Sequence, residues 1–464
     1  MLTSKNKEKI YIKCIESVKS TSKSNKLKFI SKLLFESFDS WIFCGFYFQE
    51  NDKLLVSEYS ANKIPCSPIE FNGVCGTAIL KNKILNIEDV NTFQGHIVCD
   101  KDSKKYVHWG GTTQNIVSNG DILILRKIHK IFLNDLSDLL KILSKLSLKT
   151  KNDLMAGRTH GQHALPITFG YKVACWIDEI SRHIERIKES EPRVFKCIFG
   201  GAVGTSASFG KYGNKLQKKI SIKLGLNSSR IPTRSHLDHF AEYNLNIIML
   251  ATTFGKIAQE IYNLMKNEIS ELEEPITSED IGSSTMPQKR NPHICQDIIS
   301  LSAECRSLAP ITFDSMLNEH EGSRQNHLMS SYALNQLCIK FGHLLSSIKF
   351  VLRGLKINKK NMLKNLEISK GSIVSESIML KLGIHIGRQQ AHKIIHQILN
   401  FSSKENVSFI SLLKKNPKIK KFLTEKDIAN LVNPKKYTGF SSLFSEQMST
   451  VALNLSKKLR KTEI

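Results

Sequence analysis

The chain has 464 residues, 41% of them hydrophobic and 23% charged, which is long enough for more than one packed core and too apolar for disorder. Lys and Arg outnumber Asp and Glu by 67 to 42, a formal charge of +25. The excess is lysine scattered along the chain (Lys26, Lys28, Lys32; Lys414 to Lys421) without an arginine-rich tract, so it reads as compositional bias rather than a nucleic-acid-binding element. No run of about 18 uncharged apolar residues could span a bilayer, and the charged start MLTSKNKEKIYIK lacks a leader's apolar core, so the expectation is a cytoplasmic protein without membrane or nucleic-acid partners.

Taken in chain order, two short helical patterns (7–20 and 26–38) lead into alternating strands at WIFCGFYFQ and KLLVSEYS, then into the glycine-punctuated FNGVCGTAILKNKILNIEDV. From about residue 105 the period changes. Segments 121–149, 170–190, 234–272 and 327–353 carry apolar residues at helical spacing without proline. The third is apolar nearly all round, interrupted only by Gly255, and would extend about 58 Å at 1.5 Å per residue. Such a helix implies a large bundle, here expected to complete its core by self-association. A further helical unit follows from about 357 to 464. The expected organisation is therefore mainly α: a small α+β domain at 1–104, a long-helix bundle at 105–356 and a C-terminal helical domain at 357–464. The ten cysteines lie mostly in apolar sequence and form no CxxC pair, which suits a reducing compartment and argues against a zinc module.

The segment GSSTMPQKRNP (282–292) concentrates the chemistry. Glycine and two prolines bracket a loop carrying Ser283, Ser284, Lys289, Arg290 and Asn291, which supply hydroxyls, cations and an amide. Such a loop suits a carboxylate, over which it could close; the same composition also suits an ordinary helix connection. At every fixed position it resembles the signature loop of the fumarase/aspartase superfamily. VHWGGTTQN (107–115) and GRTHGQHALPITFG (157–170) resemble that superfamily's first and second motifs, in the right order. GGAVGT (200–205) and NPKKYTG (433–439) bring the similarity closest to the branch of 3-carboxy-cis,cis-muconate cycloisomerase and adenylosuccinate lyase.

That resemblance implies reversible β-elimination on a polycarboxylate, or cycloisomerisation, by a homotetramer whose sites are assembled from three chains, with no cofactor and no metal. By position, Ser283 would be the base and His160 would protonate the leaving group. Thr112, Thr113, Thr159, Lys289 and Asn291 would bind the anionic small-molecule substrate, and Met286 would pack the closed loop. An unassisted serine is too weak an acid to ionise at neutral pH, so its alkoxide would need the field of Lys289 and loop amides. His160 and His163 could share one helical turn as a metal pair, but no third ligand cluster accompanies them. Thr112 and Thr113 also suit a helix N-cap, and GGAVGT suits close packing rather than a phosphate cradle. Asn115 stands where the first motif usually has Asp. EHEGSRQNH (319–327) places Gly322 and Ser323 at the Arg and Asp positions of the HERD-type segment of adenylosuccinate lyases, leaving Arg324 as a partial substitute.

The front segment resembles a different family, the GAF-domain free methionine-(R)-sulfoxide reductases. By that resemblance Cys99 would attack the sulfoxide, and Cys66 or Cys75 would resolve it as a disulfide. The pattern stops near Asp100, before the family's acidic residue and last strand, so the domain is expected to be truncated and without reductase turnover. Alternatives to an active lyase are an impaired fusion protein with a binding or structural role, and a reductase or small-molecule sensor that the bundle only oligomerises.

Overall fold

The computed structural model describes residues 26–37, 43–61, 69–71, 74–83, 108–276 and 288–461, with single positions at 12, 16, 67, 85 and 286. The chain divides into two compact units, Met1–Trp109 and Gly110–Ile464.

In the first unit, α1 (Lys26–Ser37) precedes a three-stranded antiparallel sheet of β1 (Phe43–Glu50), β2 (Lys53–Ala61) and β3 (Ile69–Glu70), in that order. The β1–β2 register runs from Phe43 opposite Ala61 to Glu50 opposite Lys53, closed by a two-residue turn in which Asn51 takes a φ of 55°. The short helix α2 (Val74–Leu80) forms in the glycine-punctuated segment. Of the helix expected at 7–20, only Ile12 and Glu16 are described, and both are helical.

The second unit is helical. It begins with α3 (Thr113–Lys149), a 37-residue helix, followed by the hairpin β4 (Leu154–Thr159) and β5 (Gln162–Thr168) and by α4 (Phe169–Val194). After β6 (Lys196–Cys197), α5 (Gly213–Leu224) and β7 (Asn227–Ser228) comes α6 (Asp238–Met265). The strand β8 (Leu272–Glu273), α7 (His293–Ser307), α8 (Ala309–Asp314) and α9 (Arg324–Gly354) complete the bundle. A last short strand, β9 (Lys356–Ile357), pairs with β8 ahead of α10 (Lys359–Glu367). A separate core around Ile378, Ile395, Phe409 and Ile428 joins α11 (Ser375–Ile386), α12 (Arg388–Lys404), α13 (Phe409–Lys415), α14 (Pro417–Lys420) and α15 (Glu425–Leu431).

The apolar helix α6 lies at the centre. Phe240, Ile247, Leu250, Phe254, Ile257, Ile261 and Leu264 are buried on it, and α4, α7, α8 and α9 pack around it. Each such side chain contributes about 1.5–3 kcal/mol by leaving water. Gly255 permits the close α6–α7 crossing: a Cβ there would lie 2.3 Å from Ser302 Oγ, which donates to the Ala251 carbonyl. The chain's own helices thus cover most of this helix, while Met249 stays exposed. Exposed apolar side chains lie instead on α3 (Ile116, Ile124, Ile131) and α9 (Leu328, Tyr332, Ile339).

The final helix, α16 (Ser441–Lys461), runs antiparallel along α3 through a seam of paired hydroxyls, Ser137 with Ser456 and Ser144 with Ser449. Among the described residues no helix is long and apolar enough to cross a membrane.

Candidate active site

The first motif lies at the start of α3. Thr112 is its N-cap in extended conformation, and its backbone N–H donates to Asn115 Oδ1 while Asn115 N–H returns to the Thr112 carbonyl. Asn115 Oδ1 also accepts from Gly201 N–H, which pins the GGAVGT loop beside the motif. Its Nδ2, fully buried, has no partner. Asn115 is thus the anchor of this corner, a role that the sequence motif alone did not assign. The glycine loop packs closely, as expected, but on another loop rather than a helix. A Cβ at Gly200 would meet the Pro232 carbonyl oxygen at 2.5 Å and one at Gly204 the Thr233 Cα at 2.7 Å.

The second motif is a β-hairpin, which corrects the reading of His160 and His163 as one helical turn. Thr159 faces Gln162, and the tip is the pair His160–Gly161 at φ 52° and 74°, both in the left-handed region that a two-residue hairpin turn demands. His160 is therefore presented at an exposed tip. His163 lies on β5 opposite Arg158, where burial and then the Arg158 charge push its imidazole below the ordinary value, against the opposing effect of Glu271.

Arg158 serves the scaffold. Its guanidinium grips both oxygens of the fully buried Glu271, at 2.6 and 3.0 Å, and Asn365 Nδ2 donates to the same carboxylate at 2.9 Å. Two residues further, Glu273 pairs with Arg290 at 2.7 Å. The second motif and the base of the signature loop thus share one pole of the bundle.

At the loop, Ser283 lies outside the described residues. The described part, with Met286, Lys289, Arg290 and Asn291, lines a cavity of about 890 Å³ together with Glu273, Lys356 and Lys359. Met286 is exposed. Lys356 pairs with Glu273 and Lys359 with Asp153. Lys289 lines the cavity and has no carboxylate partner among the described residues. Glu274 accepts the N–H groups of Ile294 and Cys295 and caps α7 directly behind the loop, another residue that no sequence signal marked.

The two poles are far apart. Thr113 begins α3 and Lys149 ends it, and 37 residues at 1.5 Å each span about 55 Å. The hairpin is tied to the far end by Phe169 N–H to the Asp153 carbonyl and Gly170 N–H to the Thr150 carbonyl. Thr112 and Thr113 therefore cannot meet His160 within one chain.

Of the front unit's cysteines, only Cys44 and Cys75 are described, both as free thiols. Cys66 and Cys99 lie outside the described residues, and partial burial pushes the Cys75 thiol up, away from the thiolate an attacking sulfur needs. In the bundle Cys197, Cys295 and Cys305 are buried, as expected, while Cys175 is exposed. Burial, with Glu274 nearby, makes the Cys295 thiol very hard to ionise, and burial pushes Cys338 up to about 12.

Comparison with known proteins matches residues 73–306 to a family described as lyase and residues 371–447 to the adenylosuccinate lyase C-terminus. The first match begins inside the segment whose cysteines resemble those of the reductases. N-acetyl-S-(2-succino)cysteine lyase of Dickeya dadantii is 36% identical over 338 residues, 73% of this chain and 74% of that protein. Adenylosuccinate lyase of Pyrococcus abyssi is 37% identical over 347 residues, 74% and 76% of the two chains. The crystal structure of 3-carboxy-cis,cis-muconate lactonizing enzyme from Pseudomonas putida superposes with a TM-score of 0.69 at 27% identity, covering 77% of this chain and 79% of that one.

Proposed function

The chain belongs to the lyase family of the fumarase/aspartase superfamily, and from that premise we propose that it catalyses β-elimination on a succinyl-bearing substrate, releasing fumarate and a thiol or amine. Ser283, as alkoxide, takes the proton from the carbon next to the carboxylate. The electron pair delocalises into that carboxylate, held by Lys289, Asn291, Thr112 and Thr113. The carbon–heteroatom bond then breaks, and His160 delivers a proton to the departing atom. Thr159 orients the histidine at the hairpin tip, and Met286 packs the closed loop. A cycloisomerase branch of the same chemistry uses the same carboxylate grip.

One observation carries the reading. The first motif and the hairpin lie at opposite ends of a helix about 55 Å long, so motifs that serve one reaction must be brought together by self-association. The exposed apolar residues of α3 and α9 supply a surface for that, in a homotetramer with corner sites built from three chains. The front unit serves as an appended domain without turnover of its own.

The test is fumarate release, followed by ultraviolet absorbance, from N-acetyl-S-(2-succino)cysteine and from adenylosuccinate. The wild type should turn over one of them, and Ser283→Ala should be slower by about 10²–10⁴-fold. No turnover of either, or an alanine variant as fast as wild type, would overturn the assignment.

A further inference from the structure

The segment 319–327 departs from the adenylosuccinate-lyase pattern at Gly322, and the structure shows what fills that place. Gly322 has a φ of 147°, and a Cβ on it would lie 2.7 Å from Nε and 3.1 Å from Cγ of Arg234. A side chain at 322 and the observed Arg234 exclude each other. Arg234 reaches this spot from the loop ahead of α6, with its Nε buried and without a hydrogen-bond partner. No carboxylate among the described residues pairs with it.

Two imidazoles share the neighbourhood. His327, 9% exposed, has its Nε2 buried and unpartnered, and His239 is fully buried, with its ring against the His236 backbone. His327 feels the Arg234 charge and His239 feels His327. Unpaired buried donors are rare in folded proteins, and one beside an unpaired guanidinium marks a place made for an acceptor. Gly322 and His327 also flank the N-terminus of the 31-residue helix α9, where first-turn amides favour an anion. The site adjoins the first motif: Thr112 and Gly201 share Asn115 Oδ1, and Gly204 packs on Thr233, the neighbour of Arg234.

Charge decides which anion fits. Burial holds both imidazoles below their ordinary values, aided at His327 by Arg234 and at His239 by Lys196 and His236, so at neutral pH they are uncharged. Among the described residues Arg234 is the one cation with a buried, unpartnered nitrogen, and a single carboxylate matches its charge. We propose that Arg234, with His327 beside it, forms a carboxylate-recognition pocket for the departing half of the substrate, so that succinyl thioethers or amines ending in a carboxylate are taken in preference to nucleotide monophosphates. This rests on the elimination reaction proposed above.

Titration calorimetry of the full chain with N-acetylcysteine and with adenosine monophosphate tests it without requiring turnover. N-acetylcysteine should bind more tightly than the nucleotide. Its affinity should fall at least tenfold in Arg234→Met, recover in part in Arg234→Lys, and stay within twofold in Arg324→Met, where the arginine is exposed. If Arg234→Met does not fold, His327→Gln should show the same loss. Equal binding by wild type and Arg234→Met, tighter binding of the nucleotide, or a larger loss in Arg324→Met than in Arg234→Met would overturn the pocket. A chain that binds N-acetylcysteine through Arg234 but eliminates nothing would refute the reaction and leave the pocket standing.

Discussion

Arg158 and Arg234 sit in opposite circumstances within the same unit. Arg158, in the hairpin, is held by both oxygens of a fully buried glutamate, and that glutamate is held in turn by Asn365. Arg234, beside the first motif's corner, touches Gly322 and has its Nε orphaned. A cation neutralised inside the fold fixes geometry, whereas one left unpaired keeps its interaction energy for something absent from the chain. The same contrast separates Lys356 and Lys359, both in salt bridges, from Lys289, which has no carboxylate partner among the described residues. Reading which cations are spent and which are free therefore sorts scaffold from site more sharply than the total of +25 could.

The largest expected effect tests whether each site takes its serine and its histidine from different chains. Ser283→Ala and His160→Gln should each lose about 10²–10⁴-fold in turnover. Refolded together in equal amounts, they should regain activity, because random assortment gives roughly a quarter of the sites an intact serine from one chain and an intact histidine from another. A mixture as inactive as its components would mean that each site takes its serine and its histidine from the same chain, against corner sites built from three chains.

Next in size is Glu271→Gln, which strands Arg158 in a nearly buried position. Removing one partner of a buried ion pair costs about 3–5 kcal/mol, measurable by urea unfolding. Arg234→Met removes no pairing and should change stability by less than about 1 kcal/mol. Equal losses in the two variants would erase the distinction between the arginines.

Much of this was legible in the sequence, for identifiable reasons. The long bundle helices announce themselves because their apolar period persists for many turns, and GSSTMPQKRNP marks a candidate site through its match to a signature loop, since its composition alone suits an ordinary connection as well. The hairpin at 154–168 was not legible as such. His160 and His163 fit a helical turn as readily as a hairpin tip, and only φ angles of 52° and 74° at His160–Gly161 decide. Arg234 was invisible for a different reason. Nothing in TRSHLDHF marks it, and its meaning depends on a glycine far along the chain whose missing side chain it replaces. An all-apolar helix such as α6 does not by itself say how much of it its own chain covers and how much another does.

A smaller effect probes that replacement directly. Gly322→Ala must push Arg234 aside and hold a φ of 147° that alanine disfavours, at a cost of about 1–3 kcal/mol. Part of it should return in Gly322→Ala with Arg234→Ala, since the double variant relieves the clash but not the backbone strain. A double-mutant cycle with no coupling would mean that the two residues do not compete for space.

The smallest effect is a slope with pH, and it belongs to the Arg234 corner. His239 and His327 have folded pKa values below the unfolded value of about 6.5, because burial disfavours their charged forms. Below that pH the unfolded chain binds protons that the folded chain refuses. Their contribution is therefore fully present above about pH 6.5 and is lost as the pH falls toward the folded values, at up to about 1.4 kcal/mol per pH unit for each histidine. At the other pole His163 is shifted the same way, but Glu271 opposes the shift, so its share is smaller. Unfolding midpoints between pH 8 and 5.5 should thus fall in the wild type and fall less steeply in His239→Gln, whereas His163→Gln should flatten the slope less than His239→Gln. The reverse ranking would place the acid-sensitive corner at the hairpin and remove the reason for treating the Arg234 imidazoles as neutral partners of an anion.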